Sequence, residues 1–145
     1  MTAFLQIVTG FIGSFGFGIL FNLRGKRLIA ASIGGLLSWT LFLVLGLATK
    51  DEALRYFIVS VAVSLFCEVM ARWLRTPTTT FLMTALIPLI PGGGLYYTMT
   101  NAFSGELNSF LERGLYTLSL AVALALGVIV TTVLVNIIGK LKKPS

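Results

Sequence analysis

Histidine is absent from this 145-residue sequence, cysteine and aspartate occur once each (Cys67, Asp51), and charged residues make up only 11%. Each shortage excludes a class of chemistry. Without histidine, a Ser-His or Cys-His nucleophile system cannot be assembled within the chain. A single aspartate cannot form an aspartyl dyad. The usual zinc ligands are missing, and nothing in the residues calls for a cofactor. One cysteine allows no intramolecular disulfide and gives no sign of an oxidising compartment. The inventory speaks against an enzyme.

What is present is apolar. Hydrophobic residues make up 57% of the chain, and the mean hydropathy is +0.96. Globular domains carry about 25% charged residues, so this composition is that of an all-α integral membrane protein. The net charge of +6 is not a nucleic-acid footprint, because the basic residues lie in short clusters between apolar runs, where they set topology. Five apolar segments, at about 2–23, 28–49, 54–74, 78–103 and 114–139, are expected to form one transmembrane domain of five helices. The first positive side chain, Arg24, follows the first apolar run. The opening segment is therefore expected to be a retained span rather than a signal peptide.

Positive charge orients the bundle. Five crossings place Arg24, Lys26, Arg27, Arg72, Arg75, Lys140, Lys142 and Lys143 on one side, and only Lys50, Arg55 and Arg113 on the other. If the fourth segment were re-entrant, the division would be six against five. The eight-to-three division favours five crossings, with the N-terminus outside and the C-terminus in the cytoplasm.

The fourth segment is the unusual one. Thr76 to Gly105 contains no charge, yet Pro88, Pro91 and the run Gly92, Gly93, Gly94 fall in its middle. Proline removes a backbone donor and clashes with the preceding turn, and consecutive glycines have little helix preference. The span is expected to break near the bilayer midplane. Opened backbone at that depth is tolerated only where protein or a watery cavity satisfies it, and transporters place such half-helix ends at substrate and ion sites.

Other features admit two readings. Gly10, Ser14 and Gly18; Ala30, Gly34 and Ser38; and Ser119, Ala123, Gly127 and Thr131 recur at four-residue spacing. Such stripes serve either a sliding surface or ordinary close helix packing. Phe11, Phe15, Phe17 and Phe21 read as lipid-facing or packing residues. Glu68, deep in the third segment, lies four residues before Arg72. It is either a proton-coupling or substrate-ammonium site or an intrahelical ion pair. Tyr96, Tyr97, Thr98, Thr100 and Asn101 suit a polar path or an interfacial belt. Thr78, Thr79 and Thr80 follow Pro77 as a helix start, with threonine capping free amides. Asn136 suits an interhelical hydrogen bond, and the terminal lysines suit an anchor at anionic headgroups.

The stretch LIPLIPGGGLYYTM (86–99), led in by PTTTFLMTAL (77–86), resembles the threonine/serine exporter (ThrE) family, and specifically its small C-terminal-type subunit. FGFGILFN (15–22), a basic loop and LIAASIGGLLSW (28–39) resemble the family's opening two spans. The resemblance implies a subunit of a proton-driven secondary transporter in the bacterial cytoplasmic (inner) membrane, exporting small hydrophilic metabolites, above all threonine and serine. It also implies a larger companion subunit supplying the N-terminal half. Related split pairs carry dicarboxylates, which leaves that substrate as an alternative, and self-association is the alternative to a larger partner. The motif positions Pro88, Pro91, Gly92, Gly93 and Gly94 carry over as substrate-site candidates; Tyr97 and Asn101 join them from the polar-path reading, and Glu68 with Arg72 as the coupling pair. In that scheme amides freed at the glycines attract a substrate carboxylate, the break's carbonyls receive an ammonium group, and Glu68 couples the cycle by protonation. The rival classes are a non-transporting membrane scaffold and an uncoupled pore.

A stoichiometric larger membrane protein is expected to co-purify with this chain from native membranes in mild detergent, identified by mass spectrometry. Recovery only with copies of itself would remove the two-subunit arrangement.

Overall fold

A computed structural model describes residues 2–141. These form helices α1 (Thr2–Leu20), α2 (Lys26–Ala48), α3 (Glu52–Trp73), α4 (Thr78–Ala85), α5 (Gly92–Phe103) and α6 (Leu107–Leu141), with a 3₁₀ turn at Ile87–Leu89 and no strand among the described residues. Lys142 and Lys143, two of the three lysines of the expected headgroup anchor, lie outside the described residues, as does the side chain of Lys140. Four helices, α1, α2, α3 and α6, are long and apolar enough to cross a membrane. The pair α4 and α5, bent by 43°, makes a fifth span if counted as one.

The helix ends follow from local chemistry. Asp51 caps α3 by accepting a hydrogen bond from the Leu54 amide. Helices α1, α3 and α5 each end with an amide bonded to the carbonyl five residues back: Leu23 to Gly18, Thr76 to Ala71 and Glu106 to Asn101. The residue before each of those amides is left-handed, at Asn22 (φ 59°), Arg75 (φ 50°) and Gly105 (φ 73°). This arrangement satisfies carbonyls that a helix otherwise leaves open. The expected capping by the threonine run does not occur: Pro77 sits at the N-cap of α4 without a side-chain cap, and the Thr78 hydroxyl instead donates to Glu68 Oε2 at 2.5 Å. The long carboxylate of Glu68 reaches the hydroxyl from the neighbouring helix before the local amides do.

Helix α3 is central, touching α2, α4 and α6. Val59, Val63 and Cys67 of α3 meet Phe81 of α4 and Leu89 of the 3₁₀ turn in the fully buried core. The small-residue stripes are packing surfaces, apart from Ser119, which is exposed. A Cβ on Gly35 would strike the Ser14 side chain, and one on Gly10 would lie 3.3 Å from Trp39 Cβ, so α1 and α2 meet through glycine. A Cβ on Gly34 would come within 2.7 Å of Ala85 Cβ of α4. Along α6, Gly127 sits on Ser60 and on the Phe57 carbonyl of α3, and Thr131 follows one turn later with its hydroxyl on the Gly127 carbonyl. Residues 116, 127 and 131 of α6 meet residues 52, 60 and 61 of α3, so these two helices run parallel. Phe15 and Phe17 on α1, and Phe21 just past its end, are exposed and face outward from the bundle.

Replacing Gly127 by alanine puts a methyl group 2.7 Å from a backbone carbonyl. The expected loss is about 1–3 kcal/mol, read as a lower melting temperature in mild detergent. Gly139→Ala, which meets nothing within 4 Å, is expected to leave it unchanged.

Candidate functional site

Two prolines make the break. Neither Pro88 nor Pro91 has an amide hydrogen to continue the ladder. The chain tightens into a 3₁₀ turn, with the Leu89 amide on the Leu86 carbonyl at 2.9 Å and that of Ile90 on Ile87 at 3.1 Å. Ile90 then extends (φ −60°, ψ 125°), as the residue before a proline must. The glycines themselves are not opened: Gly92, Gly93 and Gly94 form the first turn of α5. The sequence expectation placed the opening on them; the structure moves it to residues 86–91. The physical reason is that a glycine costs a helix only about 1 kcal/mol, against about 3 for an interior proline. The glycines provide closeness and free donors instead. Gly94 lies against Thr117 of α6, where an added Cβ would sit 2.5 Å from the hydroxyl. The amides of Gly93 and Gly94 precede the first helical bond, from the Leu95 amide to the Pro91 carbonyl at 3.1 Å, so they point out of the helix start as donors.

A cavity of about 360 Å³ opens at this point. The break contributes Pro88, Pro91, Gly92, Gly93, Gly94 and Tyr97. The facing wall comes from Trp39 of α2, Glu52 and Tyr56 of α3, and Arg113, Tyr116 and Thr117 of α6. Two neighbouring charges differ in how they are held. The Tyr116 hydroxyl donates to Glu52 Oε2. The Arg113 guanidinium carbon lies 5.4 Å from the centre of the Tyr97 ring, a cation–π contact. Phe42 backs this wall, stacked on Trp39 with ring centres 5.4 Å apart and edge-on to Tyr56 at 5.0 Å. Arg55 covers Phe42 at 4.9 Å. A second, smaller cavity of about 280 Å³, lined by Gln6, Thr9 and Gly13 of α1, reaches the other side of Trp39 and Pro88. Those two residues form the partition, and the indole N–H of Trp39 is buried there without a partner.

The remaining predicted residues lie elsewhere. Asn101 belongs to a depression at the α5–α6 turn, with Ala102, Gly105 and Phe110. Thr98 and Thr100 spend their hydroxyls on the Gly94 and Tyr96 carbonyls of their own helix. Asn136 is exposed on α6. Glu68 and Arg72 sit sixteen residues or more beyond Glu52 on α3, roughly 24 Å away at 1.5 Å per residue. There, Arg72 donates through Nε and Nη2 to Glu68 Oε1, both at 3.3 Å. With Thr78 on the other oxygen, Glu68 ties α3 to the start of α4. The sequence reading missed Glu52, Tyr56, Arg113 and Tyr116. Arg113 reads in the sequence only as a topology charge, and no local spacing links residues so far apart.

The chain matches the family described as Threonine/Serine exporter, ThrE, over residues 6–134, a stretch that contains every residue of the cavity wall. No curated protein and no solved structure matches it.

Substituting the three glycines separately distinguishes their roles. Gly94→Ala meets Thr117 at 2.5 Å and is expected to destabilise the α5–α6 contact by about 1–3 kcal/mol, with Thr117→Ala in the same chain restoring much of it. Gly92→Ala and Gly93→Ala meet nothing and are expected to hold or raise thermal stability.

Proposed function

The chain belongs to the threonine/serine exporter family, and we propose that it is the small subunit of a proton-coupled exporter whose substrate passes the cavity at the α4–α5 break. The observation that carries this reading is the coincidence of three things in one place: a proline-broken span, free amide donors at a helix start, and polar side chains from α3 and α6. Apolar bundles have no packing need for such an opening, and transporters use it to meet substrate. Threonine and serine are the substrates proposed from the family.

The orientation drawn from the basic residues puts the Glu52 end of α3 outside the cytoplasm. The cavity then stands at the exit side of an exporter, where a substrate is released. Only 11% of the apolar window of α1 and 17% of that of α6 is buried within the chain. These faces are available to lipid and to the proposed larger subunit, which would supply the other gate. Glu68 is the proposed coupling carboxylate, acting at a distance from the cavity. Protonation would weaken both its bond to Arg72 and its bond to Thr78, loosening α4 where it leaves α3.

Gly93→Leu tests the pathway, because a Cβ there finds no protein atom within 4 Å. Threonine export from cells is expected to fall about tenfold or more, since displacing a substrate by an ångström or so costs that order of rate, while yield and partner recovery stay unchanged. Loss of the partner instead would identify a scaffold. Glu68→Gln is expected to uncouple export from an imposed pH gradient; full proton-coupled export by that variant would take Glu68 out of the scheme.

A further inference from the structure

We infer that Glu52 and Arg113 are the specificity-determining pair of this cavity, receiving the ammonium and the carboxylate of an amino-acid zwitterion. The inference rests on the reading that the cavity is the substrate station. Both side chains line the same space of about 360 Å³, from two helices sixty-one positions apart in sequence. They carry opposite charges, yet the ion pair among the described residues joins Arg72 to Glu68 and not these two. Opposite charges on one wall left unjoined are complementary to a ligand that carries both signs.

Each side chain is also held in place by something other than a counter-charge. Tyr116 donates to one oxygen of Glu52, which leaves the other oxygen's acceptor capacity open. Arg113 rests on the face of Tyr97, a contact that spends none of its N–H donors. Arg55 faces α2 over Phe42 and Gly46, and neither it nor Lys50, Asp51 or Glu112 lines the cavity. The site thus offers one acceptor and one forked donor, beside the free amides of Gly93 and Gly94. A dicarboxylate would meet one favourable charge and one repulsive one. Tyr116 is a positioning residue, acting on the ligand through Glu52.

The test is uptake of radiolabelled threonine into membrane vesicles from cells producing the full chain, with unlabelled competitors. Threonine, N-acetylthreonine, threoninol and succinate separate the two charges. The wild type is expected to be inhibited by threonine and hardly by the other three. Glu52→Gln is expected to raise KM for threonine about tenfold and to bring N-acetylthreonine level with threonine as a competitor. Arg113→Gln is expected to do the same for threoninol. Tyr116→Phe is expected to raise KM by a smaller factor at unchanged maximal rate, with Glu52→Asp partly preserving the preference for a free ammonium. Unchanged competitor preferences in both charge variants would overturn the pair, as would strong inhibition of the wild type by succinate. If Gly93→Leu abolishes uptake while the charge variants behave as wild type, the pair is wrong and the cavity stands. If Gly93→Leu also transports normally, the cavity reading falls with it.

Discussion

Backbone hydrogen bonding is the constraint from which the rest of this structure follows. In a hydrocarbon environment each amide and carbonyl must find a partner within the protein or in enclosed water. Pro88 and Pro91 remove two donors within four residues, so the fourth span cannot continue as one helix. Its carbonyls are partly recovered by the 3₁₀ turn, and the remaining freedom goes into a 43° bend. The bend swings α5 away from α2 and onto α6, and the gap left between break and bundle is the cavity.

Close packing holds this bent span in place. Gly34 admits Ala85 of α4, Gly94 admits Thr117, and Gly127 admits Ser60 and the Phe57 carbonyl. At each position a single added carbon would collide. In a membrane, helix association depends on van der Waals fit more than on expulsion of water, so small residues do the work that large apolar ones do in soluble cores. Helix α6 makes the link between the halves of the molecule. Its first turns support α5 and its middle lies along α3. One continuous helix thus carries both contacts.

Much of this was legible in the sequence. Hydropathy marks the spans, proline marks the break, and the four-residue stripes mark the helix contacts. The cavity-facing role of Tyr97, Pro88 and Pro91 could be read because it is local to the motif. Two things could not be read. The start of α6 was obscured by Glu112 and Arg113, which interrupt the apolar run although the helix continues through them from Leu107. The partnership of Glu52 with Tyr116 joins positions sixty-four residues apart, and only the parallel register of α3 and α6 brings them together. Glu68 shows the opposite case. Its partner Arg72 was visible one helical turn away, whereas Thr78 on the next helix was not.

The partition formed by Trp39 and Pro88 ties the fates of two spaces. Both cavities end on the same two side chains, so the wall has no thickness of its own to absorb motion. Displacing Pro88 alters the lining of both spaces at once. A change at either side chain is therefore felt on both faces of the break, and neither space can be reshaped alone.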